Sequence, residues 1–422
     1  MKAKKHSFFF ILIFAFTLYS AKGQTSKPKS GDFGAVKKDS IYFAMRNADS
    51  LRDQVDAIDI VYHVLKLQEK KAPDTTGKKL RKVYYSVIPG VSYAIQSAFG
   101  IATAANISFY TVYTDDENLS SISLTPTYTL SNQFFVALVS NVWSPGNEYN
   151  SLGDYRFYRY PSITYGLGGN TPVSAATRID YSYLRIYHVV TKAIHPDFLA
   201  GIGYNLDYHY DIREKDVKYG EETDFEKYGL KDKSVSSGLS LNVIYDGRKN
   251  INYPVKGYYM NLSVRPNFTF LGSDNNWQDI QLDVRKYIRL PANTENVLAF
   301  WNLNWYTFGK APYLDLPATG WDTYSNMGRG YIQDRFKGTK MEYLETEYRF
   351  SLSRNGFFGM VIFANAQSIA DWPSGAFSTV QPGVGTGLRF KINKGAHTNF
   401  CVDYGVGLHG SNGFFFNLGE VF

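Results

Sequence analysis

The chain has 422 residues, a formal net charge of +7 and an aromatic-rich composition, with 34 Tyr and 30 Phe. No apolar run after the first residues is long enough for a membrane helix, so a helical membrane protein is excluded. The composition instead favours many half-buried strands that carry aromatic belts. The single cysteine, Cys401, excludes an internal disulfide.

The first residues predict a secretory signal peptide over residues 1–23. A basic start, an apolar run and a small-x-small cleavage site follow one another: Lys2, Lys4 and Lys5, then Phe8–Leu18, then Ala21-Lys22-Gly23. The apolar run is shorter than the roughly 20 residues that span a bilayer, so an uncleaved anchor is only the alternative. Cleavage removes four lysines and lowers the net charge from +7 to +3, which is too small to predict a nucleic-acid partner.

Three segments follow the signal peptide. Residues 24–50 are polar and rich in Lys, Ser and Gly, which predicts a flexible segment. Apolar residues at spacings of three and four then predict an amphipathic helix over residues 51–70. A Lys-rich linker follows at 71–82. The pattern leaves open whether this helix lies against a neighbouring surface or is tucked inside the strand domain.

From residue 83 to residue 422 apolar and polar residues alternate. The segment 279–290 is an example, in which an apolar set alternates with a polar set: Ile280, Leu282, Val284, Ile288 and Leu290 against Asp279, Gln281, Asp283, Arg285, Tyr287 and Arg289. Such segments have ten residues or more, whereas soluble strands have about 5–6 and membrane strands about 9–11. We count sixteen of them, beginning near Tyr84, Ile101, Ser121, Phe134, Tyr155, Thr177, Asp197, Ser234, Lys256, Asp279, Val297, Lys340, Phe357, Pro382, Thr398 and Gly413.

These segments predict an all-β fold, a sixteen-stranded antiparallel transmembrane β-barrel over residues 83–422, preceded by the short helix. An even number of strands closes a barrel without leaving an unpaired edge in lipid. An arginine such as Arg285 would cost about 2–4 kcal/mol if it faced lipid at mid-depth. The polar set is therefore expected to face the lumen and the apolar set the membrane.

The last strand carries a candidate assembly signal. We expect four apolar residues to share its lipid-facing side: Phe414, Phe416, Leu418 and Phe422. A terminal aromatic residue on an alternating strand is the kind of signal that outer-membrane assembly machinery reads. Glu420 interrupts this side and is expected at the membrane interface.

A long connection before the strand at Lys340 contains the motif Gly328-Arg329-Gly330-Tyr331, and that strand ends in Glu347-Tyr348-Arg349-Phe350. Further motifs follow the same order along the chain: Tyr245-Asp246-Gly247-Arg248, Gly383–Phe390 and Val402-Asp403-Tyr404-Gly405. Together they resemble the BamA/TamA superfamily of outer-membrane barrels, the bacterial surface-antigen family. The resemblance covers residues 83–422 and is strongest in the last 180 residues.

The resemblance implies that the long connection folds back into the lumen and that Arg329 docks on the strands that follow it. The docking candidates are Glu345, Glu347, Asn365, Arg389 and Asp403. Asn365 stands where the family has an aspartate. We therefore expect Glu345, Glu347 and Asp403 to form the main contacts with Arg329. A connection that is only a static plug is the alternative. Residues 24–82 are too few for a POTRA domain, so the chain resembles a barrel-only branch.

The motifs of catalytic and metal sites are missing from the sequence. It contains no Gly-x-Ser-x-Gly, phosphate loop or Cys/His metal spacing, and His188 and His195 are too far apart in sequence to pair as ligands. We therefore expect no enzyme activity, no cofactor and no metal.

The resemblance implies an outer-membrane protein of envelope biogenesis, an accessory or partner of protein assembly or secretion. A seam between the strands near Tyr84 and Gly413 is expected to part sideways in such a mechanism. The implied partners are outer-membrane lipid and lipopolysaccharide, the assembly machinery and other envelope proteins. A passive pore for small solutes is the alternative.

Overall fold

A computed structural model describes ten ranges of the chain: residues 54–64, 83–94, 98–112, 118–217, 222–229, 231–248, 253–292, 294–322, 325–394 and 397–422. The signal peptide, the polar segment and the linker predicted at 1–23, 24–50 and 71–82 lie outside these ranges. Of the helix predicted over 51–70, residues 57–64 are described as helix.

The predicted sixteen-stranded antiparallel barrel with a short N-terminal helix is confirmed. The described ranges contain two α-helices, α1 (Ala57–Val64) and α2 (Asp224–Gly229). The strands are β1 (Val83–Ala94), β2 (Ala98–Phe109), β3 (Ser120–Thr129), β4 (Phe134–Trp143), β5 (Tyr149–Arg159), β6 (Ser162–Thr164), β7 (Thr177–His195), β8 (Phe198–Lys215), β9 (Lys233–Asp246), β10 (Gly257–Asn267), β11 (Trp277–Arg289), β12 (Val297–Gly309), β13 (Lys340–Ser351), β14 (Phe358–Ile369), β15 (Gln381–Asn393), β16 (Thr398–Gly407) and β17 (Asn412–Leu418). The three-residue β6 pairs only with β7, which leaves sixteen barrel strands.

Two details differ from the expectation. The fifth strand begins at Tyr149 rather than near Tyr155, because the Gly153-Asp154 step that interrupts the alternation stays inside the ladder with β4 and β7. The short β6 was not predicted, since three residues carry no periodic signal.

Each barrel strand pairs antiparallel with the next one along the chain, and β5 pairs with β7 past the short β6. The end strands β1 and β17 lie side by side, with Cα atoms within 8 Å of each other. Among the described residues, the backbone registers run from β1 through to β17, and none joins these two end strands. The two end strands therefore meet at one junction of the barrel wall.

The alternation of side chains matches the predicted faces. On β13, Tyr343 and Glu347 are buried, whereas Leu344 between them is 59% exposed. The lumen side is polar and the outer side apolar, as a membrane barrel requires. No helix in the described part of the chain is long and apolar enough to cross a membrane.

The two ends of the barrel differ in the length of their connections. The connections 160–176, 216–232 and 310–339 lie at one end, while β1 begins and β17 ends at the other. Longer loops are typical of the extracellular end and short turns of the periplasmic end. The helix α1 and the residues just before it lie at the periplasmic end. There the backbone N–H of Val55 donates to Asn355 O (3.0 Å), and Lys394 Nζ lies 2.8 Å from Asp59.

We expect a charge on the outer face near the middle of β13 to be costly. Leu344→Arg should lower the free energy of unfolding by about 2–4 kcal/mol, because the guanidinium faces hydrocarbon. Leu352→Arg is the matched control, since Leu352 is equally exposed but lies just past the end of β13, where an arginine reaches the headgroups. Urea unfolding of the reconstituted barrel, followed by heat-modifiable gel migration, measures both. Equal losses would contradict the assigned faces.

Candidate functional site in the barrel lumen

The connection 310–339, here called the inward loop, leaves β12 and folds into the lumen before β13 begins. Its motif residues 328–331 are all buried. Gly328 and Gly330 have positive φ values of 80° and 110°, which glycine adopts without strain. A Cβ on Gly405 of β16 would lie 2.6 Å from the backbone N of Gly330, so glycine is needed where the loop meets the barrel wall.

Arg329 lies at the centre of the docking site and is 1% exposed. Its Nη2 donates to Glu345 and Glu347 of β13, and its Nη1 donates to Asp403 of β16 over 2.5 Å. The guanidinium carbon lies 3.7 Å from the ring centroid of Phe363. A planar fork that meets several carboxylates in a desolvated lumen forms stronger bonds than it would at a surface.

Asn365, which stands where the resembled family has an aspartate, serves the loop in a different way. Its Nδ2 donates to the backbone carbonyl of Arg329 over 2.9 Å. An ionised aspartate has no proton to donate and would face this carbonyl with like partial charge. In this chain the side chain at position 365 therefore holds the backbone of the loop.

Two further arginines extend the site toward the periplasmic end. Arg389 donates to Asp403 (2.5 Å) and to Glu420 (2.9 Å), and Arg349 donates to Glu347 (2.6 Å). With Arg329 and Glu345, the cluster contains three buried arginines and four buried carboxylates. Each buried charge has an opposite partner, which is the condition for tolerating such charges away from water.

The end of the chain corrects the expected assembly-signal face. Phe414, Phe416 and Leu418 face outward, but β17 ends at Leu418 and Gly419 has a φ of 92°. The turn at Gly419 sends the following residues into the lumen, so the alternation of the strand does not continue. Phe422 is 4% exposed, and its ring centroid lies 5.3 Å from that of Trp301.

Glu420 likewise does not lie at the membrane interface. It is buried in the lumen, where it accepts from Arg389 Nε (2.9 Å) and Asn399 Nδ2 (2.8 Å). The tail also touches the inward loop, because Asn326 Nδ2 donates to Val421 O over 2.7 Å. Arg349 Nη2 donates to Phe422 O over 2.9 Å. The residues after β17 and the inward loop thus share one network.

A second anchor holds the inward loop against β9 and β6. Asp315 accepts from Ser236 Oγ on β9 (2.5 Å), and the hydroxyls of Tyr313 and Thr164 are 2.6 Å apart. Burial, and next the charge of Asp207, raise the pKa of Asp315 to about 8. Asp315 is therefore protonated at neutral pH. Sequence reasoning missed this anchor, because no local motif marks a contact between the loop and strands so distant in sequence.

In the described residues, no three His, Cys, Asp or Glu side chains form a group able to hold a metal ion. The arrangement described above consists of ion pairs and hydrogen bonds that fix a loop in the lumen. Such contacts hold the loop in its docked position.

A sixteen-stranded membrane barrel whose extracellular loop is anchored in its lumen by a buried arginine defines a class of plugged outer-membrane barrels. The family model of the Omp85 superfamily domain matches residues 91–422, and the chain belongs to the Omp85 superfamily. The resemblance seen in the sequence motifs is thereby confirmed. Barrels of this superfamily are outer-membrane proteins. Comparison with curated proteins found no match.

Solved structures show the same fold at low sequence identity. BamA from Haemophilus ducreyi lacking POTRA domains 1–3 has a TM-score of 0.55 and 16% identity, over 79% of this chain and 68% of that chain. CdiB from Acinetobacter baumannii has a TM-score of 0.52 and 13% identity, over 81% of this chain and 61% of that chain. CdiB from Escherichia coli has a TM-score of 0.52 and 10% identity, over 81% and 63%. This chain therefore spans less than two thirds of both CdiB chains.

Removing the central arginine should destabilise the docked loop. Arg329→Ala leaves Glu345, Glu347 and Asp403 without their shared partner and should cost about 3–5 kcal/mol of unfolding free energy. Arg335→Ala is the matched control on the same loop, because Arg335 donates to Thr171 (3.0 and 2.8 Å) and stacks on Phe336 but has no carboxylate partner among the described residues, and it should cost less. Urea unfolding compares the two variants. Equal losses would show that Arg329 has no special part in docking.

The anchor at Asp315 should make loop docking depend on pH. The docked state raises the pKa of this carboxyl, so its contribution is complete below the ordinary value near 4 and is lost as pH rises through about 8. Asp315→Asn keeps an oxygen that accepts from Ser236 but cannot ionise, so its docking should not weaken over this range. Proteolysis of the inward loop at pH 6 and pH 9 measures the difference. An identical pH response in both proteins refutes the assignment.

Proposed function

We propose that this barrel acts in outer-membrane biogenesis, as an accessory or partner of the machinery that assembles or secretes proteins. It acts without covalent chemistry, through its inward loop and through the junction of its end strands. Its partners in this proposal are outer-membrane lipid and lipopolysaccharide, the assembly machinery and other envelope proteins. The proposal draws on the members of the superfamily that insert or translocate proteins.

The observation that carries this proposal is the docking of the inward loop across the lumen. One anchor lies on β13 and β16, through Arg329, and the other lies on β9, through Asp315. A passive pore for small solutes works best with an open lumen, whereas this lumen holds a loop fixed by buried charges. The geometry therefore favours a gated or closed barrel over a pore.

The junction between β1 and β17 supports a lateral route for a client. β17 has seven residues, the fewest of the sixteen barrel strands. β1 contains Pro89, which has no backbone N–H to give to a ladder, followed by Gly90. Its other edge pairs with β2 along twelve positions, more than the seven residues of β17 can offer at the junction.

Site-specific photo-crosslinking in the native envelope tests this role. A photoreactive phenylalanine at Phe414, on the outer face of β17, should capture outer-membrane or secreted proteins during their biogenesis. The same group at Leu241 is the matched control, because Leu241 is also exposed on the outer face but belongs to β9, far from the junction. Capture limited to position 414 supports the proposal. Equal capture at both positions, or none, contradicts it.

Planar-bilayer recording separates the proposal from the passive pore. The proposal expects a small, flickering conductance that grows in Arg329→Ala, because that change releases the loop tip. A large, stable conductance in the unaltered protein, unchanged by the substitution, identifies a pore instead.

A further inference from the structure

A cavity of about 580 Å³ opens at the extracellular mouth of the barrel. Its walls come from α2, the connection between β10 and β11, the first residues of the inward loop and the connection between β14 and β15. This volume falls within the range of about 300–1,000 Å³ that is typical of small-molecule sites. It is separate from the docking site of Arg329.

One side of the cavity is aromatic and held in place. The ring centroids of Phe225 and Tyr313 are 4.5 Å apart, and Tyr228 lies 5.9 Å from Trp372. The hydroxyl of Tyr228 donates to Ala311 O over 2.9 Å, so this ring is fixed to the inward loop. The aromatic side is thus a preformed surface whose rings are fixed before a ligand arrives.

The other side of the cavity is polar and carries a net positive charge. Ser234 lines the cavity, and its hydroxyl oxygen is buried without a hydrogen-bond partner among the described residues. A buried hydroxyl without a partner is unfavourable unless something else binds to it. The charged side chains that line the cavity are Lys231, Lys310 and Asp274, and Lys231 lies 3.7 Å from Asp274.

We propose that this cavity binds an anionic oligosaccharide. The C–H face of a sugar ring packs on an aromatic ring, while its hydroxyl groups take polar partners, so one apolar wall and one polar wall suit it. Ser234 provides a polar group without a partner among the described residues, and Lys310 provides the positive charge for a phosphate or carboxylate, since Lys231 is paired with Asp274. The cavity faces the extracellular side, where saccharides of lipopolysaccharide and of the surroundings are present.

A ligand in this cavity would contact the inward loop directly. Lys310 to Leu314 form part of the wall, and they are the first residues of that loop. A ligand that contacts the docked loop stabilises that state by mass action. The oligosaccharide would therefore favour the closed lumen.

Titration of the full-length barrel in detergent tests the proposal with two probes. One probe is the phosphorylated core oligosaccharide released from lipopolysaccharide by mild acid, and the other is a heparin-derived tetrasaccharide. Intrinsic fluorescence reports binding near Trp372, and calorimetry gives the affinity. Binding of the first probe alone identifies the envelope as the source, and binding of the second alone identifies the surroundings.

Trp372→Ala and Lys310→Ala should each weaken binding, the first by about ten-fold or more. Phe270→Ala is the matched control, because Phe270 is 77% exposed in the connection between β10 and β11 but does not line the cavity. Heat-modifiable migration verifies that each variant is folded. The proposal is overturned if neither probe binds the unaltered protein, if a neutral maltohexaose or an acidic peptide binds as tightly, or if Phe270→Ala weakens binding as much as Trp372→Ala.

Discussion

The structure depends on one buried interaction, in which the guanidinium of Arg329 donates hydrogen bonds to three carboxylates on β13 and β16. Withdrawing the loop tip leaves Glu345 without its arginine partner, while Glu347 and Asp403 keep only Arg349 and Arg389. The charges must then be hydrated together or take other partners, so partial withdrawal is unfavourable. Such a network favours two discrete positions of the loop over a continuum.

The same network connects the loop to the strand at the barrel junction. Arg349 bridges Glu347 and the backbone carbonyl of Phe422, and Asn326 of the loop holds Val421. The residues that follow β17 are therefore held in part by the loop and by β13. A change at the loop tip reaches the junction through three or four hydrogen bonds, without any need to deform the barrel wall.

The sequence predicted those features that depend on local pattern. The alternation of apolar and polar residues identified the sixteen barrel strands, because the polarity of each side chain indicates which face of the strand it occupies. The family motifs indicated Arg329 and its partners. Phe422 and Glu420 were misplaced because alternation was extended past Gly419, where a positive φ ends the strand. The contact of Asp315 with Ser236 joins residues 79 positions apart, and no local pattern encodes it. The extracellular cavity likewise arises from four connections that meet only in the folded barrel.

The two anchors of the inward loop differ in strength, and this sets the order in which they release. Near the mouth, Tyr313 and Asp315 are held by hydrogen bonds to the hydroxyls of Thr164 and Ser236, and a protonated Asp315 adds no ion pair at neutral pH. Hydrogen bonds between neutral groups contribute about 0.5–1.5 kcal/mol each, roughly half as much as those to charged groups. In its polar contacts the mouth is therefore the weaker anchor, which favours opening that begins there. Any molecule that binds against the first residues of the loop acts on the step that precedes release of Arg329.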